Sequence, residues 1–162
     1  MSQEFDQQTF RRVMGQFATG ITVVTALDRE GRNCGMTVNS FTSVSLDPPL
    51  VLVCVDKRLE FFKVITETSQ FNVNFLSQAQ ADLSRRFATK GIDKFEGVEH
   101  RQGRMGAPLL TETLGHLECS RYDLLPGGDH VIVIGKVEHL ASTDGEPLLY
   151  FSSSYRVLQP PL

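Results

Sequence analysis

A row of short polar side chains marks the stretch of this sequence that is best suited to hold a ligand. The row begins after Cys34 and ends at the proline pair Pro48 and Pro49. Its members are Thr37, Asn39, Ser40, Thr42, Ser43 and Ser45. Hydroxyl and amide groups offer hydrogen-bond donors and acceptors, and these side chains are short enough for a flat polar ligand to approach the backbone. An edge strand rich in serine and threonine that ends in a proline turn would have the same composition, so the residues leave both interpretations open.

A pair of cations follows this row. Lys57 and Arg58 come shortly after the apolar, β-branched run at residues 50–55, which predicts a buried strand. The apolar residues that follow predict a short helix, with the two cations in its first turn. Because the helix dipole disfavours cations at that end, a bound anion such as a phosphate would explain them. A solvated surface turn explains the pair equally well.

Length, composition and charge limit the classes of protein to consider. With 162 residues, 18.1 kDa and 41% hydrophobic residues, the chain is expected to form one domain over residues 1–162. Sixteen basic against nineteen acidic residues, without a long run of either sign, argue against a large nucleic-acid surface. Three widely spaced cysteines and four histidines in no metal-ligand pattern predict neither a disulfide framework nor a metal site, and favour a cytoplasmic protein. We expect no signal peptide and no membrane span.

The spacing of apolar residues predicts short antiparallel strands with a few helices between them. Helices are predicted over residues 5–18, with Gly20 as the terminator, and over residues 79–88. Strands are predicted over residues 21–27, 34–38, 50–55, 70–76, 114–125, 131–140, 148–151 and 155–158. We expect Asn72 and Asn74 to share the polar face of a half-buried strand. This pattern favours a closed or partly closed β-barrel over a parallel sheet.

Several short segments also form a family pattern. They are FATGITVVT from Phe17, GMTVNSF from Gly35, SLDPPL from Ser45, FNVN from Phe71, RFA from Arg86, DKF from Asp93, GDH from Gly128, and the late residues Tyr150 and Tyr155. Each segment alone is a weak signal, but the set extends over nearly the whole chain in order. Together they resemble the short-chain flavin reductase family, the reductase components of two-component flavin-dependent monooxygenases.

The resemblance implies a fold and an activity. The expected fold is mainly β, an FMN-binding split β-barrel with Greek-key connections and a few short flanking helices. Members of this family are usually homodimers that bind FMN or FAD, accept a hydride from NADH or NADPH, and release reduced flavin to a separate monooxygenase. The resemblance does not decide between FMN and FAD, or between NADH and NADPH.

The resemblance also suggests roles for individual residues. The flavin ring would lie against Thr37, Val38, Asn39 and Ser40, and the phosphate candidates are Ser45, Lys57, Arg58 and Arg86. The remaining cofactor-binding candidates are Cys54, Val55, Phe61, Asn74, Phe87, Phe95 and Tyr155. His130, which follows the glycines of a predicted hairpin tip, is the candidate catalytic residue beside the nicotinamide. A solvent-exposed turn histidine is its alternative interpretation.

Two other functions remain compatible with the sequence. One is a non-catalytic flavin-binding electron carrier on the same barrel. The other is a split barrel similar to pyridoxamine-phosphate oxidase that binds a different cofactor. The Gly128-Asp129-His130 tip favours the reductase.

Overall fold

The computed structural model describes residues 5–159 and shows a mainly β chain with three short helices. The helices are α1 (Gln7–Met14), α2 (Glu60–Glu67) and α3 (Ala81–Ala88), the last preceded by a 3-10 turn at Gln78–Gln80. The strands are β1 (Thr19–Gly20), β2 (Thr22–Leu27), β3 (Asn33–Val38), β4 (Phe41–Leu46), β5 (Pro49–Asp56), β6 (Gln70–Phe75), β7 (His100–Gln102), β8 (Pro108–Leu110), β9 (Gly115–Gly127), β10 (His130–Ser142), β11 (Leu149–Phe151) and β12 (Ser154–Arg156). The ends of the predicted domain, residues 1–4 and 160–162, lie outside the described part of the chain. None of the described helices is long and apolar enough to cross a lipid bilayer.

Seven strands form the main sheet, in the order β3-β2-β6-β9-β10-β5-β4. All neighbours are antiparallel. Strands β9 and β10 form the long central hairpin, and its register shifts near Gly135 and His139. Such irregularities increase the local twist of a sheet. Two smaller sheets, β1-β11-β12 and β7-β8, lie beside the main one.

The main sheet is strongly curved. Its two edge strands, β3 and β4, would lie roughly 29 Å apart across a flat sheet of seven strands. In the sequence, however, only Asn39 and Ser40 separate them, and that connection spans at most about 11 Å. The two edges must therefore approach each other where the chain crosses between them. The rings of Phe41 on β4 and Phe75 on β6, with centroids 5.2 Å apart, pack together beside this crossing.

Two groups of buried apolar side chains stabilise the fold. The larger one lines the concave face of the sheet and includes Phe61 and Ile65 of α2. The smaller one packs α3 against the sheet through Phe87, whose ring contacts Phe95 edge-on. Gly35 permits this contact, since a Cβ at that position would lie 2.6 Å from the Phe87 ring. Burial of such side chains contributes ~2 kcal/mol each.

Most predicted elements are confirmed within one to three residues, and three expectations are wrong. Helix α1 ends at Met14 with Gly15 as its cap, so Gly20 does not end it but lies in β1. Lys57 and Arg58 precede α2, which begins at Glu60, so they are not in its first turn. The strand at residues 70–75 is not half-buried, because tertiary packing covers both of its faces, including the one that carries its two asparagines.

Candidate functional site

The connection between β3 and β4 forms an exposed surface at the point where the two sheet edges meet. Asn39 and Ser40 are both exposed there. Ser40 Oγ donates to the Cys54 carbonyl oxygen over 3.0 Å and accepts from the Cys54 amide over 3.1 Å. The Ser40 hydroxyl therefore holds the connection against β5. The Asn39 side-chain amide makes no hydrogen bond within residues 5–159 and lies at the surface, where it can bind a ligand.

Two adjoining cavities border Asn39. The larger, of about 460 Å³, is mostly apolar and is lined by residues before and within β1 and by Phe41 and Phe75. The smaller, of about 210 Å³, is lined by Ile21, Thr37, Asn39, Ser84, Ala88, Tyr150 and Tyr155. In the larger cavity the Oγ1 atom of Thr19 is buried and has no hydrogen-bond partner within residues 5–159. An unused polar atom beside apolar walls suits a flat ligand with polar edges.

The end of β5 and the tip of the β9–β10 hairpin are joined by Lys57. Its backbone amide donates to the Asp129 carbonyl oxygen over 3.0 Å, and its Nζ donates to the Gly128 carbonyl oxygen over 2.6 Å. Because an ammonium group has three donors, Lys57 keeps hydrogens for a ligand anion. His130 follows at the start of β10, opposite Asp56 in the register.

Lys57 and Arg58 differ in how freely each can bind the phosphate of a ligand. Arg58 donates to both carboxylate oxygens of Asp56, at 3.0 Å from Nε and 2.6 Å from Nη2. These hydrogen bonds hold the pKa of Asp56 well below its usual range. The charge of Arg58 is therefore largely balanced within the protein, and Lys57 is the better phosphate candidate of the two.

The hairpin tip orients His130. Its Nδ1 lies 2.7 Å from Asp129 Oδ1, and this hydrogen bond lowers the pKa of Asp129. Since an ionised carboxylate can only accept, Nδ1 carries the proton. In the neutral ring, Nε2 is then left as an acceptor for a ligand amide.

Helix α3 lies between β3 and β12. Thr37 Oγ1 donates to the Ser84 carbonyl oxygen over 2.7 Å, and the Tyr155 hydroxyl donates to Ser84 Oγ over 2.9 Å. The guanidinium carbon of Arg85 lies 4.9 Å from the centre of the Tyr155 ring. Thr37 and Tyr155 therefore line the smaller cavity on opposite sides of α3.

Two polar side chains predicted to bind the cofactor make hydrogen bonds within the protein. Arg86 donates to the carbonyl oxygens of Asp93, Lys94 and Glu96, so its guanidinium holds that loop. Asn74 is fully buried and bonded at both amide atoms, which leaves it no group for a ligand. Both side chains therefore have partners within the fold, and their assignment to the cofactor stays a prediction.

Most of the apolar candidates are also structural. The buried side chains are Val38, Val55, Phe61, Phe87 and Phe95, which belong to the two core groups. Phe61 and Phe95 also line a cavity of about 700 Å³ on the far side of β3, and the roles of all five as cofactor contacts stay predictions. Cys54 is half-buried, and burial raises the pKa of its thiol. Ser45 is half-buried beside the irregularity of β4.

The sequence-based prediction missed Ser84 and Asp129. Asp129 adjoins His130, so its proximity in the sequence was an available signal. Ser84 lies three residues before Phe87 on the apolar face of α3, where a serine departs from the amphipathic pattern. A polar residue on an apolar helix face predicts a buried hydrogen bond, which the structure shows.

Curated proteins and a family model match nearly the whole chain. Residues 14–159 match the family described as the flavin reductase like domain. The chain is 44% identical over 151 residues to a probable flavin reductase of Rhizobium meliloti, and it covers 49% of that protein with 93% of its own length. It is 38% identical over 163 residues to the flavin-dependent monooxygenase reductase subunit HsaB of Mycobacterium tuberculosis, a match over 99% of this chain and 87% of that one. The chain thus spans about half the length of the first of these relatives.

Solved structures share the fold. The NADH:FAD oxidoreductase SgcE6 of Streptomyces globisporus, in complex with NAD and FAD fragments, superposes with a TM-score of 0.91 at 40% identity over 96% of this chain and 94% of that chain. The flavin reductase of styrene monooxygenase from Pseudomonas putida S12 superposes with a TM-score of 0.87 at 34% identity, over 94% and 99% of the two chains. The match of residues 14–159 to the family model and these full-length similarities show that the chain belongs to the flavin reductase-like domain family.

Proposed function

We propose that the chain is an NAD(P)H:flavin oxidoreductase that reduces FMN or FAD and supplies free reduced flavin to a separate monooxygenase. The observation that carries the proposal is the match to reductase subunits over almost the full chain. The names of similar proteins favour NADH as the donor and FAD as the acceptor. These two compounds are the first substrates to test.

The described residues fit a flavin in three respects. Asn39 presents a free amide to the polar edge of the ring, in a surface flanked by apolar cavities. Lys57 offers a cation to the phosphate, and His130 offers Nε2 to the nicotinamide carboxamide. When bound, the flavin supplies the redox chemistry by accepting a hydride from the nicotinamide. The protein needs no acid or base for that transfer and acts by holding the two rings together.

The fold proposed for the curved seven-stranded sheet is a split β-barrel, because its edges β3 and β4 approach each other at Asn39 and Ser40.

We extend the proposal to a homodimer. Helix α1 exposes one side of apolar residues, with Phe10 52%, Val13 60% and Met14 51% exposed. The convex faces of β5 and β10 add half-exposed aliphatic side chains, namely Leu50, Leu52, Ile132 and Ile134.

Apolar surfaces of this extent are typical of interfaces between subunits. In a symmetric homodimer, a second copy of the chain would cover both apolar surfaces. Light scattering should give the mass of a dimer at micromolar concentration. The mass of a monomer would refute this part of the proposal.

Steady-state oxidation of NADH in the presence of excess FMN, FAD or riboflavin tests the activity. A reductase oxidises many equivalents of NADH per protein, and its rate depends on the flavin added. A carrier that holds its flavin would be reduced once and then stop. That outcome would favour the electron-carrier alternative.

A further inference from the structure

Ser84 joins the two segments that border the smaller cavity. Its side chain is fully buried on α3, although serine has a lower helix propensity than alanine. Its carbonyl oxygen accepts the Thr37 hydroxyl of β3, and its own hydroxyl oxygen accepts the Tyr155 hydroxyl of β12. One residue therefore contacts both walls of the cavity.

The hairpin that carries Tyr155 is also held in other ways, since Tyr150 and Tyr155 pack against the smaller group of buried apolar side chains. Strand β11 pairs with the two residues of β1, and the Ser152 amide at the turn donates to the Gly15 carbonyl oxygen over 2.9 Å. Ser152 and Ser153 both have positive φ angles, of 48° and 60°, which are costly for residues with a side chain. The hydrogen bond from Tyr155 to Ser84 is thus a direct link between the hairpin and α3.

The Tyr155 ring is fixed on two further sides. The ring of Tyr150 lies 5.8 Å away in an edge-on arrangement, and the Arg85 guanidinium covers one face. These contacts hold the ring in the cavity wall from two sides. The hydrogen bond from its hydroxyl to Ser84 adds a third constraint, which sets the tilt of the ring relative to α3.

We propose that Ser84 is a positioning residue, which sets the Tyr155 wall of the smaller cavity relative to β3 and thereby shapes the flavin site. The inference rests on the proposed function, because it takes the cavity beside Asn39 as part of that site. Ser84 acts through Tyr155 and Thr37, because both line the cavity and are more exposed than Ser84.

The test compares Ser84→Ala, Tyr155→Phe and the double variant. Tyr155→Phe removes one hydroxyl and keeps the ring, its stacking and the volume of the wall. Each single variant should raise the KM for flavin about three- to tenfold, the usual effect of one neutral hydrogen bond. Because both remove the same bond, the double variant should lose no more than the worse single one. The kcat at saturating flavin and NADH should stay within about twofold.

Tyr122→Phe is the matched control, because Tyr122 is 57% exposed on β9 and loses only a surface hydroxyl. It should keep the wild-type KM for flavin. If Ser84→Ala does not fold, Ser84→Cys takes its place in the comparison, because a thiol keeps the approximate volume of the side chain and is only a weak acceptor.

The outcomes separate this inference from the proposed function. A wild-type protein that neither binds nor reduces flavin refutes the function and the inference together. A wild-type protein that reduces flavin, with Tyr155→Phe lowering only the melting temperature, refutes the positioning role and leaves the function intact. Additive losses in the double variant would also contradict the inference, because they would mean that the two hydroxyls act separately.

Discussion

Asn39 and Asn74 form a matched pair for separating binding from folding. The sequence suggests a flavin contact for both, whereas the structure places Asn39 at the surface and Asn74 in the core. We expect Asn74→Ala to lower the free energy of unfolding by roughly 3–5 kcal/mol and to leave the flavin affinity of the folded protein within about twofold. Asn39→Ala should weaken flavin binding and leave the free energy of unfolding nearly unchanged.

The magnitude for Asn74 follows from its partners. Its Nδ2 lies 3.0 Å from the Val23 carbonyl oxygen and 3.2 Å from Thr25 Oγ1, and its Oδ1 accepts the Leu110 amide over 3.0 Å. Truncation leaves the buried Leu110 amide without this partner, at a cost of roughly 1–3 kcal/mol, and removes two further hydrogen bonds of about 1 kcal/mol each. Asn39 is exposed, so its loss is limited to a ligand contact of ~1 kcal/mol, or roughly fivefold in affinity.

Urea denaturation followed by circular dichroism gives the free energy of unfolding, and quenching of flavin fluorescence gives the affinity. Each variant serves as the control of the other, because both remove a side-chain carboxamide and keep the Cβ atom. If Asn74→Ala kept wild-type stability and bound flavin more than tenfold more weakly, the assignment of Asn74 to the core network would be wrong.

Three more perturbations address the hairpin tip and the core. Lys57→Ala should weaken FMN binding about tenfold and riboflavin binding little, as measured by flavin titrations, while Arg58→Ala should change both less because Asp56 balances its charge. His130→Ala should lower kcat/KM for NADH roughly ten- to a hundredfold in steady-state assays; an equal loss of flavin affinity would assign the residue to folding instead. Burial raises the pKa of Cys119 to about 12 from an ordinary 9.0. Its contribution to stability is therefore complete below pH 9 and declines towards pH 12, so Cys119→Ala should show a flatter decline in denaturation experiments between about pH 9 and 11.

The strands could be predicted from the sequence because their pattern is local. Strand β5 and the start of β10 contain continuous runs of Val, Leu and Ile, and β2 is almost continuously β-branched, so each segment can be recognised as a strand without its neighbours. The end of α1 could not be predicted in this way. Phe17 continues the apolar spacing beyond Met14, yet it lies outside the helix and is 72% exposed. The pattern records which residues are apolar but not which surface covers them.

The exposed residues of the candidate site are easier to identify from the sequence than the hydrogen-bond partners of the buried ones. Asn39, Lys57 and His130 lie in short segments whose polar residues follow strands, where ligands are often bound. Arg86 and Asn74 are assigned to the ligand by the family resemblance, which does not show the partners that a polar side chain has in the fold. Asn74 bonds to groups far away in the sequence, such as the Leu110 amide 36 residues away, and Arg86 bonds to carbonyl oxygens seven to ten residues away. Local patterns contain no information about such pairs.

The two-residue connection between β3 and β4 determines where the chain could be opened by circular permutation. All strand pairs of the main sheet lie outside this connection, so a chain cut between Asn39 and Ser40 would keep every backbone ladder of the sheet. The cut would remove the covalent tether that gives the two edges a high effective concentration for each other. Ser40 would remain with β5 through its bonds to Cys54, while Asn39 would remain with β3. A permutant opened here would therefore retain its sheet and divide its ligand surface into two independent halves.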